Sequence, residues 1–547
     1  MTAGPPHFPI VWADPDDAKL SWRHQKTHWP VAAPRLSADL YERTTGEGFS
    51  RRGALLERSL RFRTISVNGY VYVTQAPLAM PDDGVARHAR SVRKTSILGA
   101  RVAQTWRQYL PEVAAHLDAL DACELRSSPS DLMVTLELTI SRGARLWEIH
   151  GHILFLVPID EFGHLYAELF PDDDSLAAFK LLSGEPSKTV EAATALARIA
   201  RTIRERPEMV DLITRASAAE LLHAVTTADG TKELRRLLVP YLETYGKRCP
   251  GVDPALPSLI EDPSVVIRDL RAFVLDTAED PAVAQAASLR ERARADAETL
   301  ARLAGYPGPV VVEFRRALAA ARDGTRVMET HNFYIDHGFT YRIRRVVLAL
   351  GRALAADGKI EVPGDVFHFT LDELRDAVLR DSDIRSCVAD RRAELAAHRE
   401  LTPPATIGKS DGSAPAAQDP RARSMAKFAG EIVVQGLDAR VIRGHPGSSG
   451  KARGTARIVG ALGDAGRVTA GDVLVTATTA APWTPLFATV AAVITDAGGV
   501  LSHSAIVARE YRIPAVVGVG TATSLIHDGQ MLEVNGDAGV IRVLPSA

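Results

Sequence analysis

Cysteine is scarce in this sequence. Among 547 residues there are three cysteines, and none of them stands in a disulfide or metal-ligand spacing: Cys123, Cys249 and Cys387. This pattern excludes a disulfide scaffold and a zinc module built on cysteine pairs. It indicates a reducing compartment, and we expect the protein to be cytoplasmic.

Long apolar runs and an excess of one charge are also missing. No run reaches the roughly 18 apolar residues that a membrane span needs, and the first residues lack the basic and apolar segments of a signal peptide. The net charge of −2 gives no electrostatic footprint for nucleic acid or an anionic membrane. We therefore expect neither kind of partner.

The rest of the composition is that of a globular protein, with 46% hydrophobic and 24% charged residues. At about 150 residues per domain the length predicts three or four domains. The texture of the chain divides it into an N-terminal arm and hairpin at 1–80, a helical domain at 81–399, a flexible linker at 400–427 and a C-terminal α/β domain at 428–547.

The arm begins with residues that can cap a helix starting near Ala18. Trp29 follows in a segment rich in histidine. It could line a pocket that binds an acceptor molecule, or it could anchor an arm on the protein surface by packing. Asn68 and Gly69 interrupt an alternating pattern, which predicts a β-hairpin.

The apolar run LWEIHGHILFLVPI carries His150 and His152. On a strand these two side chains would share one face and could form half of a metal site. Because no third ligand lies nearby in sequence, we predict buried or pocket-lining histidines and no metal site.

Residues 85–400 repeat apolar positions every three or four residues, which predicts helices. Residues 313–372 concentrate arginine, histidine and aromatic side chains. The candidate acceptor-site residues there are His331, His337, Tyr341, Arg342 and Arg345. Guanidinium groups can bind phosphate oxygens, and His331 or His337 could take a proton from an acceptor hydroxyl. The alternative is a solvated basic helix paired with acidic neighbours.

Residues 495–518, TDAGGVLSHSAIVAREYRIPAVVG, predict a strand, a glycine turn and a helix with His503 at its start. The first turn of a helix has unpaired N–H groups and a positive dipole end, which suits an anion. A phosphoryl group on His503 could therefore contact nearby residues of the turn. The predicted phosphate contacts are Gly498, Gly499, Ser502 and Ser504.

This stretch resembles the phosphohistidine, or mobile, domain of the enzymes that include phosphoenolpyruvate synthase, pyruvate phosphate dikinase and rifampin phosphotransferase. The family motif reads approximately T-D-x-G-G-x-x-[ST]-H-x-A-I-x-A-R-E, and His503 falls on its phosphorylated histidine. Residues 471–487 and 357–374 are similar to further motifs of the family. The resemblance implies a mainly helical acceptor domain with a small β-hairpin element, followed by an α/β swivelling phosphohistidine domain.

The helical texture leaves no room for an ATP-grasp domain, and no phosphoenolpyruvate-binding barrel follows the histidine motif. The sequence is similar in this respect to phenylphosphate synthase, a two-component relative. The resemblance implies a separate ATP-grasp subunit that binds ATP and Mg, no permanently bound cofactor on this chain, and a small phenolic or lipophilic hydroxyl compound as acceptor.

Two alternatives stay open from the sequence. The chain could be a phosphocarrier whose helical domain docks another protein without acceptor chemistry of its own. It could also be a fragment similar to phosphoenolpyruvate synthase. A phosphotransferase subunit acting through His503 is the hypothesis that the motifs favour.

Overall fold

The computed structural model describes residues 8–57, 60–77, 84–226, 232–275, 280–409, 419–430, 433, 435 and 440–545. Residues 1–7 of the predicted arm and 410–418 of the predicted linker lie outside this set. The elements below are therefore those of the described residues.

The N-terminal part contains a four-stranded antiparallel sheet in the order β2-β3-β1-β4. Its strands are β1 (Ser21–His24), β2 (Leu60–Val67), β3 (Tyr70–Pro77) and β4 (Thr406–Gly408). The hairpin predicted at Asn68 and Gly69 is confirmed, since both residues take positive φ values, 50° and 75°.

The helix predicted to start near Ala18 is wrong. A 3₁₀ helix ends at Lys19, and the chain continues as β1, paired with β3 and β4. Trp22 and His24 of this strand are buried while Arg23 between them is exposed. Burial at every second residue thus outweighs the capping signal, which specifies only a single turn.

Helices make up most of the chain before the C-terminal unit. They are α1 (Arg35–Tyr41), α2 (Glu47–Leu55), α3 (Gly84–Gly99), α4 (Val102–Asp121), α5 (Pro129–His152), α6 (Leu156–Leu169), α7 (Ala177–Lys180), α8 (Lys188–Arg204), α9 (Pro207–Arg215), α10 (Ala218–Thr226), α11 (Lys232–Tyr245), α12 (Ser264–Val274), α13 (Pro281–Leu303), α14 (Gly308–His331), α15 (Thr340–Ala356), α16 (Leu371–Leu379), α17 (Val388–Arg399) and α18 (Pro420–Ala429). The described 3₁₀ segments are Pro15–Lys19, Pro363–His368, Arg385–Cys387, Leu462–Arg467 and Ala481–Trp483, and the π-helical segments are Glu42–Gly46 and Asn332–Phe339.

The π-helical segment Asn332–Phe339 joins α14 to α15 without a break. α15 packs against α5, and α14 packs against α6. His150 and His152 belong to the last turn of α5, so the shared face that a strand would give them does not occur. Leu146 and Ile149 are fully buried at helical spacing in the main apolar core, so the run is apolar because it faces this core.

The predicted linker at 400–427 contains two regular elements. β4 pairs with β1 at the edge of the N-terminal sheet, and α18 packs on α6. Asp160 of α6 is fully buried and forms ion pairs with Arg423 and Lys427 of α18, at 2.6 and 2.7 Å. Strand pairing thus holds the start of this segment on the N-terminal sheet, and charge pairing holds its end on the helical part.

The C-terminal unit is an eight-stranded mixed sheet in the order β5-β12-β11-β7-β8-β9-β10-β6, with neighbouring helices. Its strands are β5 (Val441–Arg443), β6 (His445–Ser448), β7 (Lys451–Ile458), β8 (Val473–Thr476), β9 (Ala492–Thr495), β10 (Ala515–Val517), β11 (Met531–Asn535) and β12 (Val540–Val543), and its helices are α19 (Thr484–Phe487), α20 (His503–Glu510) and α21 (Ala522–Leu525). Strands β7 to β10 pair in parallel, and β11 and β12 form the closing hairpin. The predicted fold class, a helical part followed by an α/β unit, is confirmed.

None of the helices in the described part of the chain combines the length and the apolar character needed to cross a bilayer.

Candidate functional site

His503 is the first residue of α20, which connects the parallel strands β9 and β10. Ser502 is the N-cap of this helix, and its side chain accepts a hydrogen bond from the N–H of Ala505. The imidazole of His503 is turned toward the helical part of the chain and is only 7% exposed. A histidine is thus placed at the positive end of a helix and at a boundary between two units.

The partner of His503 lies on α14. Nδ1 of His503 is 3.3 Å from Oε1 of Glu329, and Oε2 of Glu329 accepts a hydrogen bond from the hydroxyl of Thr189 at 3.1 Å. Nε2 of His503 is buried and has no hydrogen-bond partner among the described residues. The two ring nitrogens are therefore in different situations, one bonded to a carboxylate and the other unpartnered.

The pKa of Glu329 reflects this pairing. Burial alone would raise it, but the neighbouring His503 and the hydrogen bonds from His503 and Thr189 outweigh burial and hold the pKa below its ordinary value. Glu329 is thus a carboxylate at neutral pH. A carboxylate accepts the proton on Nδ1, which assigns the lone pair of the neutral imidazole to Nε2.

The groups predicted to contact phosphate form hydrogen bonds with other groups of the protein. The N–H groups of Gly498 and Gly499 donate to the carbonyls of Ala429 and Phe428 in α18. Ser504 shares a hydrogen bond of 2.8 Å with Thr479. In this arrangement the glycine pair fixes the loop against α18, and the phosphate role expected of these groups, and of the capping Ser502, stays a prediction.

The C-terminal unit also meets the helical part through apolar and polar contacts. Leu501 and Ile506 belong to a core cluster with residues of α6 and α14. At the far end of α20, both carboxylate oxygens of Glu510 accept from the N–H of Gly184, at 3.0 and 2.9 Å. Burial raises the pKa of Glu510 to about 7. This contact is therefore sensitive to pH near neutrality.

The candidate acceptor residues fall into two groups. His331 and His337 are buried in and beside the π-helical segment that follows Glu329. Trp29 is buried and packs edge-on against the ring of Tyr41, at 5.2 Å between centroids. All three side chains are therefore buried in the interior.

Arg342 and Arg345 are engaged elsewhere. Both guanidinium groups form ion pairs with Asp121 at the end of α4, at 2.5 and 3.1 Å. Arg345 also lies 5.8 Å from the ring of Tyr341. This placement agrees with the alternative in which the basic face of the helix pairs with acidic neighbours, rather than with phosphate recognition.

A cluster that the sequence did not predict surrounds His331. Its Nε2 is 3.1 Å from Nε2 of His150, which in turn is 3.6 Å from Oδ1 of Asp336. In a π-helix residues five apart lie above one another, and His331 and Asp336 are separated by five positions. The regular helical spacing assumed from the sequence would have put them on different faces, and His150 is 181 residues away.

Burial dominates the ionisation of this cluster. It lowers the pKa of His331 to about 4 and the pKa of His150 well below its ordinary value. It also raises the pKa of Asp336 well above its ordinary value. Both imidazoles are consequently neutral at physiological pH.

Comparison with known proteins places the parts of the chain in families. Residues 468–539, which include β8 to β11 and His503, match the family model described as "PEP-utilising enzyme, mobile domain". The C-terminal unit is thus similar to this mobile domain family across the strands and the helix that position His503. Residues 161–329, which end at the partner of His503, match the model described as "Rifampicin phosphotransferase fourth domain". The expected family is confirmed, and the His503–Glu329 contact joins the two matched regions.

Several curated proteins are similar to the chain. Chondramide synthase cmdD of Chondromyces crocatus is 34% identical over 99% of this chain and 14% of its own length. Rifampicin phosphotransferase of Streptomyces sviceus is 31% identical over 66% of this chain and 40% of its own length. Prodigiosin synthesizing transferase PigC of Serratia marcescens is 27% identical over 65% of this chain and 38% of its own length. The chain thus spans two fifths or less of these relatives.

Proposed function

We propose that this chain is a phosphotransferase component that carries a phosphoryl group on Nε2 of His503 and delivers it to a hydroxyl group of a small acceptor. The observation that carries the proposal is the difference in hydrogen bonding between the two ring nitrogens of His503. Nδ1 is bonded to Glu329, and Nε2 is buried without a partner at the boundary with the helical part. The similarity to rifampicin phosphotransferases supports the same chemistry.

Glu329 has a defined role in this proposal. By accepting the proton of Nδ1 it fixes the tautomer with a lone pair on Nε2, which is the nucleophile. It also stabilises the positive charge that develops on the ring when Nε2 bonds to phosphorus. In the second step the hydroxyl oxygen of the acceptor bonds to phosphorus and releases its proton, while the N–P bond breaks and its electron pair returns to Nε2.

We propose further that ATP and Mg bind on a separate ATP-grasp subunit and that the mobile domain swivels between that subunit and the helical domain. The balance is then ATP plus water plus acceptor hydroxyl giving the phosphate ester, AMP and phosphate. The arrangement described above corresponds to the docked state for the second step. The acceptor in this proposal is a small hydroxyl compound, and the resemblance of the sequence to phenylphosphate synthase favours an aromatic one.

The test combines the purified chain with a candidate ATP-grasp partner, labelled ATP, Mg and a panel of phenols and aliphatic alcohols. We expect acid-labile label on His503 and AMP release that depends on the acceptor. His503→Ala should abolish both the label and the AMP release. The control is His164→Ala, which should retain both, because His164 is an exposed histidine of α6 that pairs with Glu168 at the surface.

Other outcomes decide against the proposal. Ester formation by His503→Ala at the rate of the unaltered chain would contradict the role of His503. Label on His503 without turnover of any hydroxyl compound would support the phosphocarrier alternative. Label that comes from phosphoenolpyruvate and not from ATP would contradict the proposed donor.

A further inference from the structure

We propose that His150, His331 and Asp336 form a binding site for one divalent transition-metal ion of the zinc class. This site goes beyond the phosphotransferase proposal and does not depend on it. It combines two imidazoles with one carboxylate, a ligand set that binds zinc, iron and similar ions and leaves coordination positions open.

The distances suit a single ion. Two ligands of one ion cannot be farther apart than the sum of two metal–ligand bonds, about 4.0–4.4 Å for bonds of about 2.0–2.2 Å. The separations are 3.1 Å between the two Nε2 atoms, 3.6 Å from His150 to Oδ1 of Asp336 and 4.0 Å from His331 to Oδ2 of Asp336. The two distances to Asp336 end on different oxygens, so the carboxylate would bind the ion through both of them.

The hydrogen bonding around the cluster is incomplete without a cation. Nδ1 of His331 lies 2.9 Å from the carbonyl oxygen of Val327, so it carries the proton and Nε2 presents a lone pair. Oδ1 of Asp336 is buried and has no hydrogen-bond partner among the described residues. A buried carboxylate oxygen without a partner is costly, and a cation between it and the imidazoles would satisfy all three groups.

The surroundings match those of metal sites in other proteins. The bond from His331 to the Val327 carbonyl is the kind of outer contact that orients a ligating imidazole. The ring of Phe155 stacks on His331 at 4.2 Å, and Trp147 lies 4.9 Å from His150. These aromatic rings hold the imidazoles in place and limit access of water.

The experiment measures metal binding by the full chain. The protein is treated with a chelator, dialysed and titrated with Co²⁺, followed by visible absorption, and with Zn²⁺, followed by elemental analysis. We expect one ion per chain, with X-ray absorption at the metal edge reporting two imidazole ligands. Absence of stoichiometric binding, or a metal environment without imidazole, would overturn the proposal regardless of any variant.

Variants then locate the site. Asp336→Asn and His150→Gln should weaken binding by more than about tenfold, since even outer contacts change metal affinity by 10–100-fold. His152→Gln is the matched control, because His152 is on the same turn of α5 but bonds to the hydroxyl of Tyr109. Unchanged affinity in correctly folded Asp336→Asn and His150→Gln proteins would refute the assignment. Binding should persist in His503→Ala, which separates this site from phosphoryl transfer.

Discussion

Nδ1 of His503 lies 3.3 Å from Oε1 of Glu329, although the two residues are 174 positions apart and belong to different parts of the fold. His503 is at the start of a helix in the C-terminal unit, and Glu329 is in the last turn of a helix in the helical part. The contact therefore depends on how these two units pack against each other.

Removing the charge of Glu329 should slow transfer. Glu329→Gln keeps an oxygen that can accept the Nδ1 proton but no longer stabilises a positive imidazole, so we expect phosphate ester formation to fall by about 10–100-fold. Single-turnover transfer from the labelled chain to the acceptor measures this. Glu313→Gln is the control, because Glu313 is on the same helix and pairs with exposed Arg316. Equal rates for Glu329→Gln and the unaltered chain would rule out this role.

Glu510 should make the docked structure less stable as pH rises. The pKa of Glu510 is about 7 in this structure, and its ordinary value is 4.5. Its contribution to the free energy of unfolding is therefore fully present below about pH 4.5 and is lost as pH rises through about 7. The loss is on the order of 3 kcal/mol at most. Denaturant unfolding between pH 4.5 and 8 measures it, and Glu510→Gln should flatten the profile.

The control for this profile is Glu298→Gln, which replaces an exposed glutamate of α13 and should leave the slope unchanged. A profile of Glu510→Gln as steep as that of the unaltered protein would show that Glu510 is not the titrating group.

Gly499 should not tolerate a side chain. A Cβ atom there would lie 2.2 Å from the carbonyl oxygen of Lys427, which is backbone and cannot move independently. Gly499→Ala should therefore destabilise the chain by about 1–3 kcal/mol or separate the loop from α18. Thermal and denaturant unfolding measure the change. Gly460→Ala, where a Cβ meets nothing within 4 Å, should be nearly neutral, and equal stability of the two variants would contradict the prediction.

Arg342 should matter for stability and not for acceptor binding. Its guanidinium group bonds to Asp121 and to the carbonyls of Leu117 and Gly338, so Arg342→Ala should cost about 1–3 kcal/mol. The KM for the acceptor should stay unchanged. Arg380→Ala, at an exposed pair, is the matched control for stability. A large rise in KM with normal stability would restore Arg342 to the acceptor site.

Local sequence patterns predicted the elements whose stability is local. The Asn68–Gly69 hairpin needs two residues that accept positive φ, and the start of α20 needs a capping residue such as Ser502, so both are visible in a few letters. The run around His150 was ambiguous because an apolar run does not distinguish a buried helix from a strand, and the helix predicted after Ala18 failed because a capping signal specifies only a single turn. Packing against α15 and pairing with β3 decided those two cases.

The sequence by itself determined the family, the order of a helical part and an α/β unit, and the placement of His503 at a helix start. Only the tertiary structure decided what surrounds that histidine. Glu329 reaches it through the docking of two units, and Asp336 joins His331 because a π-helical segment changes which residues share a face. Contacts over 174 and 181 residues leave no local pattern, since they depend on how distant helices pack.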